Sequence, residues 1–467
     1  MTTVRKALAA VVAAGLLAAC GTGGGEGGTG DGGGGAAGGG LGKPPIGAEK
    51  PLRTPVKAPE GFDTSKGWQE TVTWLPEKPD GTPDVENGLP VGAAPRAGVV
   101  AFLQPEETAY VVEARDEATG TLRWSSRKWE PPVPVERRPL ETTPRTPGLL
   151  VVEQDGREYV VVWAYGIEGE DELSKGRKII SLAVYPADSS GKAVAPAHTV
   201  SVPAETTSSF TVMDGGDGIL LKRGSLQQTV SVDAATGRVK TYDADLRLPV
   251  YCEKVDCYEG TSVVALSPAG PVLRNDSGSL EGDRGFGVPG GWQAVDAAPP
   301  GIDTEGDEEY ENGDPQAVLG DRLLSSWETE DQGLVWAAHH LETGELEASV
   351  PCQEATHYES ARSPNGRYAV AGHLAFDFER GEAHCFGETA ERKGIRLVSV
   401  GDDGTAYGFA GGDETTESAP VAVSLATGEP EVLPRDTEIP FLSLPKAGAF
   451  SPMADGGGLL FVFHPRG

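Results

Sequence analysis

Ala114-Arg115-Asp116-Glu117-Ala118-Thr119-Gly120-Thr121-Leu122-Arg123-Trp124 decides how the rest of this 467-residue chain is read. Asp116 can fold its carboxylate back onto the amides that follow it, and Gly120 supplies the positive φ of a tight reversal. Apolar residues flank the turn, so the stretch reads as a hairpin between two strands, with Trp124 as a large packing face beyond it. The pattern returns in weakened form. Asp233 to Gly237 keeps the spacing with Thr241 in the tryptophan place, and Asp377 to Gly381 keeps it with Ala375 in the place of Ala114 and Cys385 in that of Trp124. Leu341 to Gly344 and Leu425 to Gly428 retain the turn alone. Gly344 and Gly381 stand 37 residues apart and Gly381 and Gly428 stand 47 apart. That period is the length of one small sheet of about 40–50 residues in a radial repeat.

Elsewhere the apolar residues come in short runs bounded by Gly, Pro, Asp and Asn. They include Gly98 to Leu103, Leu149 to Glu153, Tyr159 to Tyr165, Ile179 to Tyr185, Gly218 to Leu221, Ser262 to Leu266, Leu334 to Ala338 and Leu459 to Phe463. Their Val, Tyr, Trp and Leu content is that of strands, and no amphipathic helical period competes with it. The expected class is all-β.

The Ala114, Asp116, Gly120 and Trp124 pattern is similar to the tryptophan-docking repeat of PQQ-type propellers. Ser363-Pro364-Asn365-Gly366-Arg367-Tyr368 resembles the hairpin of tryptophan-aspartate propellers, with echoes at Ser267 to Gly270 and Ser451-Pro452. The resemblance implies a β-propeller of four-stranded blades. Blades are expected near 87–135, 142–205, 206–248, 250–285, 313–352, 358–390 and 394–435, with 440–467 completing a sheet with Trp68 to Trp74. The count is about seven, with six or eight open; a β-sandwich or two smaller β domains is the competing architecture.

The N-terminus carries a different signal. Arg5 and Lys6 precede an unbroken small apolar run from Ala7 to Ala19, too short for a permanent membrane span. Leu17-Ala18-Ala19-Cys20-Gly21 is similar to the lipobox of bacterial lipoproteins, which implies cleavage before Cys20 and its lipidation. The domain reading is a signal peptide over 1–19, a lipidated Gly/Pro-rich tether over 20–60 and a repeat domain over 61–467. A coil of the tether's length stands off by several tens of ångströms. The composition resembles that of actinobacterial secreted proteins, and the expected location is the extracytoplasmic face of the cell membrane.

Outside the cytoplasm an even number of cysteines favours disulfides. Cys252 and Cys257 are spaced for a local staple, and Cys352 with Cys385 then closes a longer loop by elimination, with other connectivities open. The 70 acidic against 39 basic side chains give a formal charge of −31, which repels phosphate backbones and argues against a nucleic-acid partner. Loss of Arg5 and Lys6 with the signal would leave −33.

Catalytic patterns are sparse. There is no G-x-S-x-G, H-E-x-x-H or phosphate-binding loop. Ser189 and Lys192 fit S-x-x-K but read as turn residues. Cys352, His357, His373, His384 and Cys385 contain zinc-type ligands without a zinc spacing. The acids Asp303, Glu305, Asp307, Glu308, Glu309, Glu311 and Asp314 lack the glycine of an EF-hand loop, and they read, like Glu168 to Glu172, as solvated insertions. PQQ enzymes carry a disulfide between adjacent cysteines, and this chain has no adjacent pair. The expectation is therefore no cofactor, no metal and no catalytic residue. The leading function is a non-catalytic binding or scaffold module for a protein or envelope component. The alternative is an extracytoplasmic quinoprotein-like oxidoreductase or hydrolase with its site in the propeller channel.

Overall fold

The computed structural model describes residues 52–53, 56–78, 83–85, 87–135, 146–204, 210–223, 229–242, 261–275, 285–302, 313–329, 331, 333–353, 360–411, 418–455 and 458–467. Cys20, Cys252, Cys257 and most of the tether lie outside these residues.

Strand patterning explains the architecture. Val99–Glu106 begins with five consecutive buried residues, and alternate members of that run serve different neighbours. Val99, Ala101 and Leu103 join one apolar cluster, whereas Val100 and Phe102 join another. Arg157–Glu170 divides in the same way, with Val161, Trp163 and Tyr165 on one side and Val160, Val162 and Ala164 on the other. A sheet buried on both faces needs such continuous apolar runs, and period-2 geometry sends successive side chains to opposite faces.

The strands form eight sheets in chain order. They span 91–126 (blade 1), 148–203 (blade 2), 210–242 (blade 3), 261–287 (blade 4), 314–351 (blade 5), 360–385 (blade 6), 395–432 (blade 7) and 440–465 (blade 8). Pairing within each repeat is antiparallel between consecutive strands. Among the described residues blade 4 has three strands, and blade 1 gains a fifth because Gly191–Val194, from a turn of blade 2, pairs in parallel with Leu122–Ser126. Among the described residues, eight apolar clusters fill the eight seams between successive blades, including the seam between blade 8 and blade 1. The fold is a closed eight-bladed β-propeller.

The expected count of about seven is thereby corrected. The seven segments each form a blade, and the closing strands make a full eighth: Trp68–Val72 pairs with Gly458–Pro465 as the outermost of four strands. Joining the two ends of the domain in one sheet leaves no open edge at the point of closure. The chain also docks before that strand. Val56 and Phe62 are buried between blades 7 and 8 with Tyr407, Ile439 and Phe450, and Glu438 N–H donates to the Lys57 carbonyl at 2.8 Å. Residues 56–60, tether by composition, thus lie against the propeller.

A recurring latch joins the blades. The indole of Trp68, on the outermost strand of blade 8, donates to the Glu117 carbonyl at 2.9 Å in the turn of blade 1. Trp124 of blade 1 donates to the Ala187 carbonyl of blade 2 at 2.9 Å, and Trp292 of blade 4 donates to the Leu341 carbonyl of blade 5 at 3.1 Å. Histidine takes the same place twice, with Nε2 of His198 2.7 Å from the Ala235 carbonyl and Nε2 of His384 3.0 Å from the Leu425 carbonyl. Each is an apolar ring with a polar edge that satisfies a turn carbonyl at a seam.

Candidate functional site

The first strand of each blade is innermost, and neighbouring first strands meet around the axis. The turns joining first to second strands therefore all lie at one mouth of the channel, as do the turns joining third to fourth strands. Several charged side chains meet between blades at that mouth.

Glu153 lies next to the end of the inner strand Gly148–Gln154 of blade 2, and Arg362 ends the inner strand Ser360–Arg362 of blade 6. The two blades are opposite in an eight-membered ring. Arg362 nevertheless reaches Glu153, with Nη2 2.9 Å from Oε2, while the other carboxylate oxygen of Glu153 is 2.7 Å from Nη2 of Arg96 in the first turn of blade 1. An arginine fork suits this bridging because it presents several donors in fixed geometry. The guanidinium lies over Gly320 in the first turn of blade 5, where an added Cβ would come 2.1 Å from Nη1 of Arg362. One ion-paired strut thus links blades 1, 2 and 6 and rests on blade 5.

Asp214 stands beside the strut at the end of Phe210–Asp214 in blade 3 and accepts from Gly216 N–H at 2.9 Å. Burial pushes its carboxyl up to about 6; the Gly216 hydrogen bond and the charge of Arg362 oppose the rise, and Glu153 and Asp217 add to it. Burial also raises Asp217, with further repulsion from Asp155, Asp233 and Glu342. The first turn of blade 3 is bonded to the neighbouring blade, with Leu266 N–H of blade 4 donating to the Gly215 carbonyl at 2.7 Å. Further bonds sew the same face together. Glu158 of blade 2 accepts from Ala97 N–H of blade 1 at 2.9 Å, Gln154 accepts from Ala234 N–H of blade 3 at 2.7 Å, and Asp402 of blade 7 accepts from Asn365 N–H of blade 6 at 2.8 Å.

At the closing seam, Glu117 is buried among Lys446, Asp116 and Asp402. Burial pushes its carboxyl up to about 7 despite the opposing charge and backbone hydrogen bond of Lys446. Its Oε2 has no hydrogen-bond partner among the described residues. The arrangement can exchange protons near neutral pH and hold blades in register. A shallow cleft beside it is lined by Asp402, Asp403, Tyr407 and Arg466.

The motif residues singled out in the sequence lie in the turns and seams of the blades. Ala114 is buried in the seam between blades 1 and 2, opposite Trp124 in the register. Asp116 Oδ1 accepts from the amides of Ala118 and Thr119 at 3.2 and 3.1 Å, and Gly120 has φ +69° beneath the Trp68 ring. Asp233 accepts from Thr236 N–H at 2.8 Å and Gly237 has φ +71°, with His198 packed over it. Asp377 pairs with Arg367 at 2.8 Å and Gly381 has φ +65°. Thr241 and Cys385 do not take the docking place. Rings from a preceding blade, absent from the simple repeat, fill it at Gly120, Gly237, Gly344 and Gly428.

Cys352 and Cys385 form a disulfide with Cα atoms 5.5 Å apart, joining blades 5 and 6. The rest of the supposed ligand set is dispersed: His373 Nδ1 lies 2.8 Å from the Ile395 carbonyl, His384 is a latch, and His357 is outside the described residues. Ser189 bonds the Pro186 carbonyl of its own turn, and Lys192 is exposed. Glu168 to Glu172 end the long hairpin of blade 2. Asp303 to Glu311 lie outside the described residues, whereas Asp314 starts blade 5 near Arg274. His339 is buried against Phe286 and Trp327, and burial lowers its ring to about 4, so it is neutral at ordinary pH. No helix among the described residues is long and apolar enough to cross a membrane.

No family model matches the chain. No curated protein matches it either. Among solved structures it is similar to an uncharacterized protein from Listeria monocytogenes EGD-e, with 8% identity over 83% of this chain and 88% of that one, at a TM-score of 0.36. It is also similar to the propeller of Dos1, with 11% identity over 80% of this chain and 90% of that one, at a TM-score of 0.37. The propeller assignment rests on the strand order and the eight filled seams of the chain itself.

Proposed function

We propose that this protein is a lipoprotein held on the extracytoplasmic face of the cell membrane through Cys20, and that its propeller is a non-catalytic binding or scaffold module for a protein or envelope component. The observation that carries the scaffold reading is the strut at the mouth. The charges converging there, Arg96, Glu153 and Arg362, are paired with one another between blades, an arrangement that favours rigidity of the ring over chemistry on a substrate. The Cys352–Cys385 disulfide supports an oxidising compartment. The apolar run ending at Cys20 supports the anchor, and the 32 residues from Cys20 to Pro51 would span roughly 30 Å as a flexible coil.

The test expresses the full chain in a lipoprotein-processing bacterium. Intact-mass analysis is expected to find diacylglyceryl on Cys20 in the membrane fraction, with Cys20→Ser shed into the medium. Cross-linking on intact cells is expected to capture a reproducible envelope partner. Unmodified wild-type chain in the medium would overturn the anchor, and turnover of a substrate by the purified protein would overturn the non-catalytic reading.

A further inference from the structure

We propose that the cleft between blades 7 and 8 is a binding site for a primary ammonium group, such as the end of a lysine side chain. It lies between the first turn of blade 7, Gly401 to Gly404, and Arg466, which follows the strand Gly458–Pro465 of blade 8. Its volume is about 250 Å³. That is below the roughly 300–1,000 Å³ of sites for whole drug-sized molecules and suits the end of one chain. The side chains lining it include three acids, Glu60, Asp402 and Asp403, and one base, Arg466, so its field favours a cation over an anion. Among the described residues no three carboxylate, imidazole or thiolate side chains are grouped to hold a metal ion, which directs the reading to an organic cation.

The acids alone would not make a site, but Tyr407 adds a buried polar group to them. It lines the cleft, it is 3% exposed, and its hydroxyl makes no hydrogen bond among the described residues; the charges that act on it are Asp403 and Arg466. A buried hydroxyl without a partner costs about 1–3 kcal/mol, and a donor from a ligand would remove that cost. The rest of the wall is held in place. Asp402 Oδ1 accepts from Asn365 N–H at 2.8 Å and Asp403 Oδ1 from Thr405 N–H at 3.1 Å, so each carboxylate is fixed by one oxygen and keeps the other. Arg466 Nη1 lies 3.6 Å from Asp403 Oδ2, too far for a hydrogen bond, while its Nε is 3.3 Å from the Leu444 carbonyl and its guanidinium sits 5.1 Å from the centroid of the Phe62 ring. An ammonium carries three N–H donors, and two carboxylates and a hydroxyl are three acceptors. This inference deepens the binding half of the proposed function and is independent of the anchor, so either can fail alone.

The experiment is calorimetric titration of the full chain in detergent at neutral pH and low salt. The unaltered protein is expected to bind n-propylammonium with a Kd of about 1 mM. Tetramethylammonium, which has the charge without the N–H donors, should bind at least about fivefold more weakly. N-acetyl-lysine N-methylamide separates the sources: tighter binding than n-propylammonium assigns the ammonium to a protein chain, and weaker binding assigns it to a free amine. Asp403→Asn and Tyr407→Phe should each weaken n-propylammonium about fivefold, the effect of one hydrogen bond. No binding by the unaltered protein, equal binding of tetramethylammonium, tighter binding of acetate, or an affinity untouched by both substitutions would overturn the proposal. Should a variant fail to fold, the three titrations of the unaltered protein decide. A membrane-held chain that captures an envelope partner yet binds no ammonium would refute this site and leave the proposed function standing.

Discussion

Trp68 donates its indole N–H to the Glu117 carbonyl 49 positions later, and its ring stacks on Phe463 at 4.0 Å between centroids while covering Gly120. One side chain thus joins the first strand of the domain, the last strand and the first blade. Truncation to Ala removes the ring and its bond together and is expected to cost about 3–5 kcal/mol, whereas Trp68→Phe, which keeps most of the packing, should cost nearer 1–2 kcal/mol. Denaturant unfolding monitored by circular dichroism checks both, and a Trp68→Phe loss indistinguishable from zero would show that the indole bond contributes nothing.

Gly120 separates backbone strain from close approach. A Cβ there would lie 2.6 Å from the Trp68 ring, at φ +69°, whereas at Gly366, with φ +74°, nothing lies within 4 Å. Gly366→Ala should cost about 1–2 kcal/mol from the left-handed backbone alone. Gly120→Ala should cost clearly more by the same assay, because the docked ring must move.

Beneath the latch, Arg115 is buried between Glu70 of the closing strand, at 3.0 Å, and Glu113 of its own strand, at 2.6 Å. Arg115→Ala leaves carboxylates without their counter-charge and should cost about 3–5 kcal/mol. Arg115→Met with Glu70→Gln should recover part of the loss. A double variant no more stable than the single one would show that the charge is not the cause.

Glu117 imposes a dependence on pH at the same seam. Its folded carboxyl near 7 lies above the ordinary 4.5, so its stabilising contribution is complete below about 4.5 and disappears as pH rises through about 7. Glu117→Gln should therefore be more stable than wild type at pH 8, by up to about 3 kcal/mol, and should lose that advantage by pH 5. Thermal midpoints across this range are the measurement, and a constant offset would remove Glu117 as the titrating group.

The Cys352–Cys385 bond encloses a sequence separation of 33 residues across the blade 5–blade 6 seam. Loop-closure entropy puts its contribution at about 3–4 kcal/mol. Cys352→Ala with Cys385→Ala should lower the denaturant midpoint accordingly, and reductant should lower the wild type by more than it lowers the double variant.

Much of this organisation was legible because it is local. The turns at Asp116, Asp233 and Asp377 each lie within a few residues, whereas the cysteine count left several connectivities open and the structure pairs Cys352 with Cys385. The docking residues were less visible. His198 and His384 replace tryptophan while keeping a flat ring and a donor, so a search for Trp misses them, and Trp292 has no repeat around it. Glu153, Asp214 and Arg362 carry no motif at all; their only mark is a charge closing the first strand of a blade.

The residues alone determined the strand class, the reversals and the approximate repeat length, because hydrophobic period and turn chemistry operate over a handful of positions. Tertiary structure decided that the ring has eight members, that residues 56–72 fill a seam and complete the last sheet, and that Arg362 meets Glu153. Those outcomes depend on where distant strands come to lie when the ring closes, and no short-range pattern encodes the angle at which each blade packs on the next.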